Sequence, residues 1–260
     1  MDCRMDGRVA LITGASKGLG RAMASTFASS GATVAMLARR ADVLDEAVVE
    51  IKAAGGKAHG YVCDVSNAAS IAATWVKIGA ALGTVDILVN NAGVAAAKPF
   101  EAVSDDEWQA DLDLKLFAAI RLCRLALPGM KARRWGRIIN VLNTHAKAQA
   151  PNTSPTSVSR AAGMALTKLL ATECAPHNVL VNALLVGLIE SDQWARRHAK
   201  QGENQSYEDF LAGLAKGKIP LGRFGTAAEF ANIACFLCSD AGSYITGTAI
   251  NVDGGMAPVV

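Results

Sequence analysis

The sequence is short of most features that mark a specialised class of protein. It has three tyrosines and seven prolines in 260 residues, and only 5% of its residues are aromatic. Its 26 basic and 23 acidic residues are scattered and leave +3, so neither a nucleic acid nor a membrane surface is expected as a partner. No apolar run reaches the roughly 18 residues that a membrane span needs. Repeats, low-complexity segments and Pro/Gly linkers are also missing. The six cysteines, Cys3, Cys63, Cys123, Cys174, Cys235 and Cys238, are dispersed, and residues 1–6 carry no apolar signal core. A reducing, cytoplasmic setting is therefore expected. Cys235 and Cys238 have the spacing of a redox or metal pair, but they sit in an apolar helical run with no second ligand pair near it. They read as small buried side chains, and no metal site is expected.

What the chain does have is alternation. Short, continuously apolar runs at 8–13, 33–37, 60–63, 85–89, 137–141, 179–184 and 249–252 are mostly followed by helical stretches, the first at about 21–29. Continuous rather than alternating apolarity means strands covered on both faces, as in a parallel sheet wrapped by helices. The expected fold is α/β, a doubly wound parallel sheet of the Rossmann type, seven strands flanked by helices, in a single domain over 1–260. Ser104-x-x-Glu107 and Thr226-x-x-Glu229 mark two helix starts as capping boxes. The least regular stretch, 190–217, follows a strand and so belongs at the carboxyl edge of the sheet. It reads either as a substrate lid or as a solvated helical excursion.

The first strand runs into Gly14-Ala15-Ser16-Lys17-Gly18-Leu19-Gly20 and then a helix. Glycines there let the backbone approach a pyrophosphate, which sits on the free N–H groups at the helix start. At the end of the second strand, where a carboxylate would hold the adenosine ribose, stand Ala38, Arg39 and Arg40. A guanidinium pairs with a 2′-phosphate that a carboxylate would repel, so the expected cofactor is NADP(H), with Lys17 as a second cation. Asp64 reads equally as an acceptor for the adenine amino group and as a turn carboxylate.

The glycine turn, Asp64-Val65, Asn90-Asn91-Ala92-Gly93, Pro220 to Gly225, and Ile245-Thr246-Gly247 with Val252-Asp253-Gly254-Gly255 together resemble the short-chain dehydrogenase/reductase family, in particular its bacterial 3-oxoacyl-acyl-carrier-protein reductase-like members. The resemblance runs from about Gly7 to Gly255. It implies a nicotinamide cofactor held by Gly14, Ser16, Gly18, Leu19, Gly20, Val65, Asn91, Ala92, Gly93, Arg160, Gly187, Ile189 and Ser191. It also implies a homotetramer packed through helices near 108–127 and 156–174.

The family's Asn, Ser, Tyr and Lys positions are filled here by Lys115, Asn143, Thr156 and Arg160. Thr156 and Arg160 share a helix face, but a threonine is a far weaker acid than a phenol of pKa about 10 and lacks its length. Arg160 can bind ribose hydroxyls but cannot pass on a proton. The Asn143 amide can donate to an oxyanion as a serine hydroxyl would. Lys115 brings a cation from below, and His145, Lys147 and Tyr207 are the other proton-donor candidates. His59, His177 and His198 read as surface residues.

Three functions fit. The first is an NADP(H)-dependent oxidoreductase acting on a small carbonyl or alcohol substrate with a non-standard proton donor. The second is a lyase or isomerase that uses the nucleotide structurally. The third is an inactive NADP-binding sensor or partner subunit. The features that position a reactive nicotinamide, the glycine turn, Arg39 and Gly187, favour the first.

Overall fold

The computed structural model describes residues 2–201 and 205–260. Seven parallel strands form one sheet: β1 Val9–Thr13, β2 Thr33–Ala38, β3 Lys57–Val62, β4 Ile87–Asn90, β5 Gly136–Asn143, β6 Val179–Val186 and β7 Ala249–Val252, in the order 3-2-1-4-5-6-7. The central strands β1, β4, β5 and β6 are buried almost throughout, which is why they read as unbroken apolar runs. The edge strand β3 is mostly exposed, with Ala58 buried. It starts at Lys57, three residues earlier than its apolar content indicates, because it needs cover on one side only.

Helices α1 Gly18–Ser29, α2 Ala41–Ala53 and α9 Ala227–Cys238 cover one face through Met23, Phe27, Leu44, Ile51 and Phe230. On the other face lie α3 Ala68–Leu82, α5 Ala118–Arg133 and α6 Thr156–Cys174, which bury Ile71, Ile78, Leu122, Met130 and Ala171. α1 begins at Gly18 rather than near Arg21, so the last glycines of the turn already belong to the helix. Both capping boxes form, Ser104 with Glu107 at α4 Asp105–Leu112 and Thr226 with Glu229 at α9. Cys235 and Cys238 are buried in α9, and burial raises both thiol pKa values.

The stretch that looks irregular in sequence contains two helices, α7 Asp192–Gln201 and α8 Tyr207–Ala215; residues 202–204 lie outside those described. Its apolar side chains Phe210, Leu211 and Ala215 make a small core with Ile219 and Phe224 just beyond it, against which Trp194 and Tyr207 pack. His198 is half-buried in that packing, against Tyr207 and Phe210, rather than on the surface.

Parallel register brings the carboxyl ends of the strands to one edge: Thr13 pairs with Leu37, Asn90 with Asn140, and Asn143 with Val186. Strand order reverses between β1 and β4, and this is where open α/β sheets leave a crevice.

Candidate active site

A cleft of about 980 Å³ opens at that edge, at the upper end of the roughly 300–1,000 Å³ of small-molecule and cofactor sites. One end is the glycine turn. A Cβ at Gly20 would lie 2.2 Å from the Gly14 carbonyl oxygen, so nothing larger fits where α1 leaves β1. Lys17 is the N-cap of α1 in extended conformation and makes no side-chain capping bond. The first-turn N–H groups are therefore left to whatever occupies the cleft.

The loop after β4 is tied to this turn. Asn91 Nδ2 donates to the carbonyls of Thr13 (2.8 Å) and Gly14 (3.3 Å), and the Asn91 and Ala92 N–H groups both donate to Thr13 Oγ1 at 2.9 Å. The side chain of Asn91 thus clamps the cradle together. Arg39 and Arg40 line the cleft where β2 ends, next to Asp64. Asp64 is a turn carboxylate here, accepting from Ser66 N–H (3.0 Å) and Ser66 Oγ (2.7 Å). Those bonds, assisted by Arg39, hold its pKa below the usual range.

Gly14, Ser16, Lys17, Gly18, Leu19, Gly20, Arg39, Asp64, Val65, Asn91, Ala92, Gly93, Arg160, Gly187, Ile189 and Ser191 all line the cleft. Gly187 has a further reason to be glycine: a Cβ there would meet Asp253 Cβ at 2.4 Å, on the strand β7 side. Its close approach is to the chain itself as well as to the cleft.

At the other end, Asn143 closes β5 and lines the cleft; its side-chain oxygen is buried and has no hydrogen-bond partner among the described residues. Thr156, the first residue of α6, and Arg160, one turn on, also line it. Arg160 donates to the Val141 carbonyl at 2.8 Å, and Gly93 makes room for its guanidinium. Burial pulls its pKa down to about 10, so it stays charged at neutral pH.

Lys115 does not reach the cleft. It sits behind Thr156 with no exposed side-chain surface, in a π-helical turn, Asp113–Phe117, between α4 and α5. Such turns often accompany functional sites. Its ammonium is ion-paired with Asp111, whose own side chain is 2% exposed, and donates to Thr156 Oγ1 at 2.8 Å. Ser159 Oγ donates to the other Asp111 oxygen at 2.6 Å. Burial lowers the Lys115 pKa, assisted by Arg160 and opposed by Asp111.

Two of the other proton-donor candidates are placed elsewhere. Lys147 donates to the Ala249 carbonyl of β7 at 2.5 Å and does not line the cleft. Tyr207 packs in the small core of α8. His145 does line the cleft, its ring nitrogen 3.2 Å from the Ala148 carbonyl. None of the three tyrosines lines it, and Tyr244 is fully exposed. Sequence reading missed Asp111 and Ser159. Their only signal was helical spacing to Lys115 and Thr156, which says nothing about two helices meeting.

Comparison with known proteins agrees with this layout. The family model described as enoyl-(acyl-carrier-protein) reductase matches residues 14–257. The 3-oxoacyl-[acyl-carrier-protein] reductase of Aquifex aeolicus is 37% identical, with 98% of this chain and 100% of the relative covered. Among solved structures, the L-sorbose reductase of Gluconobacter frateurii in complex with NADPH and L-sorbose superposes with a TM-score of 0.95 at 35% identity over the full length of both chains. The NADPH-bound short-chain oxidoreductase of Pseudomonas aeruginosa, described as containing an atypical catalytic center, gives 0.92 at 35% identity over 99% of both. Coverage this complete, at these identities and TM-scores, leaves one assignment: the chain belongs to the short-chain dehydrogenase/reductase family.

Proposed function

We propose that the protein is an NADP(H)-dependent oxidoreductase that interconverts a small carbonyl compound and its alcohol, without a tyrosine as acid. The observation that carries this reading is the continuity of one cleft. It runs from the glycine turn and Arg39 to Asn143, whose buried amide oxygen has no partner among the described residues, and Thr156. The residues present fit a dinucleotide. The open space beside Gly18, the uncapped start of α1 and the cation at the end of β2 match a pyrophosphate followed by a 2′-phosphate. Two similar solved proteins are NADPH complexes, which supports the same choice here.

When bound, the cofactor supplies or accepts hydride. The chain's own groups do the rest. The first turn of α1 and Lys17 hold phosphate, Arg39 selects the 2′-phosphate, and Arg160 bonds ribose hydroxyls. Asn143 turns its amide N–H toward the substrate oxygen as negative charge builds there. The protein forms a single domain over 1–260. The segment 190–217 acts as lid, with Trp194 and Arg196 already on the cleft wall. The partly exposed apolar side chains Phe117 and Leu125 at α5, and Val158 and Leu169 on α6, support a homotetramer packed through these helices. A cytoplasmic setting matches six free cysteines.

The test is a fluorescence titration with NADPH and NADH, followed by NADPH oxidation with L-sorbose, ethyl acetoacetate and acetoacetyl thioester. Micromolar NADPH binding, weaker NADH binding and turnover of one of these carbonyls are expected. Tight NADPH binding with no carbonyl turned over would favour a sensor or inactive partner subunit instead.

A further inference from the structure

We propose that the Thr156 hydroxyl is the group that protonates the substrate oxygen, and that the buried Lys115 ammonium behind it is the proton's source, held in place by Asp111 and Ser159. The inference rests on the oxidoreductase reading and goes further by naming the proton's route.

The hydrogen bonds leave one assignment open. Lys115 Nζ donates to Thr156 Oγ1 at 2.8 Å, so that oxygen is an acceptor on its inner side. Thr156 lines the cleft, and its own hydroxyl hydrogen is not spent on any protein acceptor seen among the described residues. The hydroxyl of Ser159, one turn on, is spent on Asp111 at 2.6 Å, which fixes the carboxylate that in turn holds Lys115. Within this cluster, only Thr156 touches both the ammonium and the cleft. The charged groups acting on Lys115 are Asp111, from the same helical segment, and Arg160, from α6.

This arrangement removes the chemical objection to threonine. Alone, a threonine would have to become an alkoxide, at a pKa far above that of a phenol. With an ammonium hydrogen-bonded to its oxygen it is neutral before and after the step. Hydride from the reduced nicotinamide bonds to the carbonyl carbon, and the C=O π pair moves onto oxygen. That oxygen takes the proton from Thr156 Oγ while Oγ takes one from Lys115 Nζ. Lys115 is left as a neutral amine beside Asp111 and is recharged from cleft water through the same hydroxyl once the alcohol leaves. Desolvation, which lowers the Lys115 pKa, makes it a readier donor than an exposed lysine. Reduction therefore slows as pH rises through the Lys115 pKa, and alcohol oxidation speeds up.

Two measurements test the route. Stopped-flow turnover of the carbonyl that reacts best among L-sorbose, ethyl acetoacetate and acetoacetyl thioester is compared for the parent, Thr156→Val, Thr156→Ser and His145→Gln. Thr156→Val is expected to lower kcat about 10²- to 10³-fold with NADPH affinity unchanged and the alkaline fall lost. Thr156→Ser should stay within about tenfold of the parent. Independently of turnover, protein labelled with [15N]lysine and free of cofactor should show one slowly exchanging ammonium resonance, missing in Lys115→Arg, that titrates below the ordinary lysine value of 10.5. Thr156→Val should shift it. The route is overturned by a Thr156→Val kcat within about threefold of the parent, by a loss that appears on His145→Gln instead, or by a Lys115 that is neutral at pH 7 or titrates at or above 10.5. Hydride transfer to none of the carbonyls would overturn the oxidoreductase reading together with the route. Turnover that is indifferent to Thr156 overturns the route alone.

Discussion

The two ends of the cleft are built from different materials. The glycine end is mostly backbone: a turn that admits no Cβ at Gly20, the uncapped start of α1, and carbonyls pinned by Asn91. The far end is mostly side chains, with Lys115, Asp111, Thr156 and Ser159 linked across α4, a π-helical turn and α6. A backbone site is robust to side-chain exchange and intolerant of added bulk. A side-chain network can be rewritten one residue at a time, provided each buried charge keeps its partner.

This contrast can be broken by experiment. The largest effect is expected from Gly20→Ala, whose Cβ would strike the Gly14 carbonyl, a backbone atom that cannot swing away. NADPH binding should be lost at concentrations that saturate the parent, and a normal titration would show that the turn is more pliable than its geometry. Next is Asn143→Ala, which should lower kcat about 100-fold, the range seen for one oxyanion donor, while leaving the Kd for NADPH within twofold. A change in Kd instead would move Asn143 from the reacting end to the cofactor end. Arg39→Ala should weaken NADPH about 10- to 30-fold, as loss of a charge-assisted pair does, with NADH unaffected. Equal losses for both nucleotides would refute selection of the 2′-phosphate. The smallest effect is expected from Lys147→Met. It loses a tie to the Ala249 carbonyl, so stability should drop by about 1 kcal/mol in denaturant melts, with kcat unchanged. A fall in kcat would return Lys147 to the list of proton donors.

How much of this was legible from residues depends on how local the cause is. Strands β1, β4, β5 and β6 were readable because burial on both faces makes them continuously apolar. β3, at the edge, was readable only from Gly60 on, and α7 and α8 only as a helical excursion, because their apolar residues serve a small separate core. At the cofactor end, the reading of the glycine turn and Arg39 as cleft residues needed only strand-turn-helix spacing. The clamp role of Asn91 and the proximity of Gly187 to Asp253 needed the fold, since their partners lie 78 and 66 positions away along the chain. Lys115 could be placed near the pocket by counting, but whether it enters the cleft or lies beneath it depends on how one π-helical turn meets α6. Tyr207 and Lys147 were drawn toward the chemistry by residue type alone, and packing assigns them to a small core and to a strand edge.

Periodicity and glycine spacing are thus enough for the parallel sheet, the cradle and the cation at the end of β2, because each follows from a contiguous segment obeying its own backbone geometry. Thr156, rather than a phenol, is also expected at the reacting end from the sequence. The surroundings of Thr156 are not legible there, because a buried ammonium with a carboxylate on one side and a threonine hydroxyl on the other forms only when α4, the π-helical turn and α6 are pressed together. Desolvation then gives Lys115 a character that its residue type does not foretell.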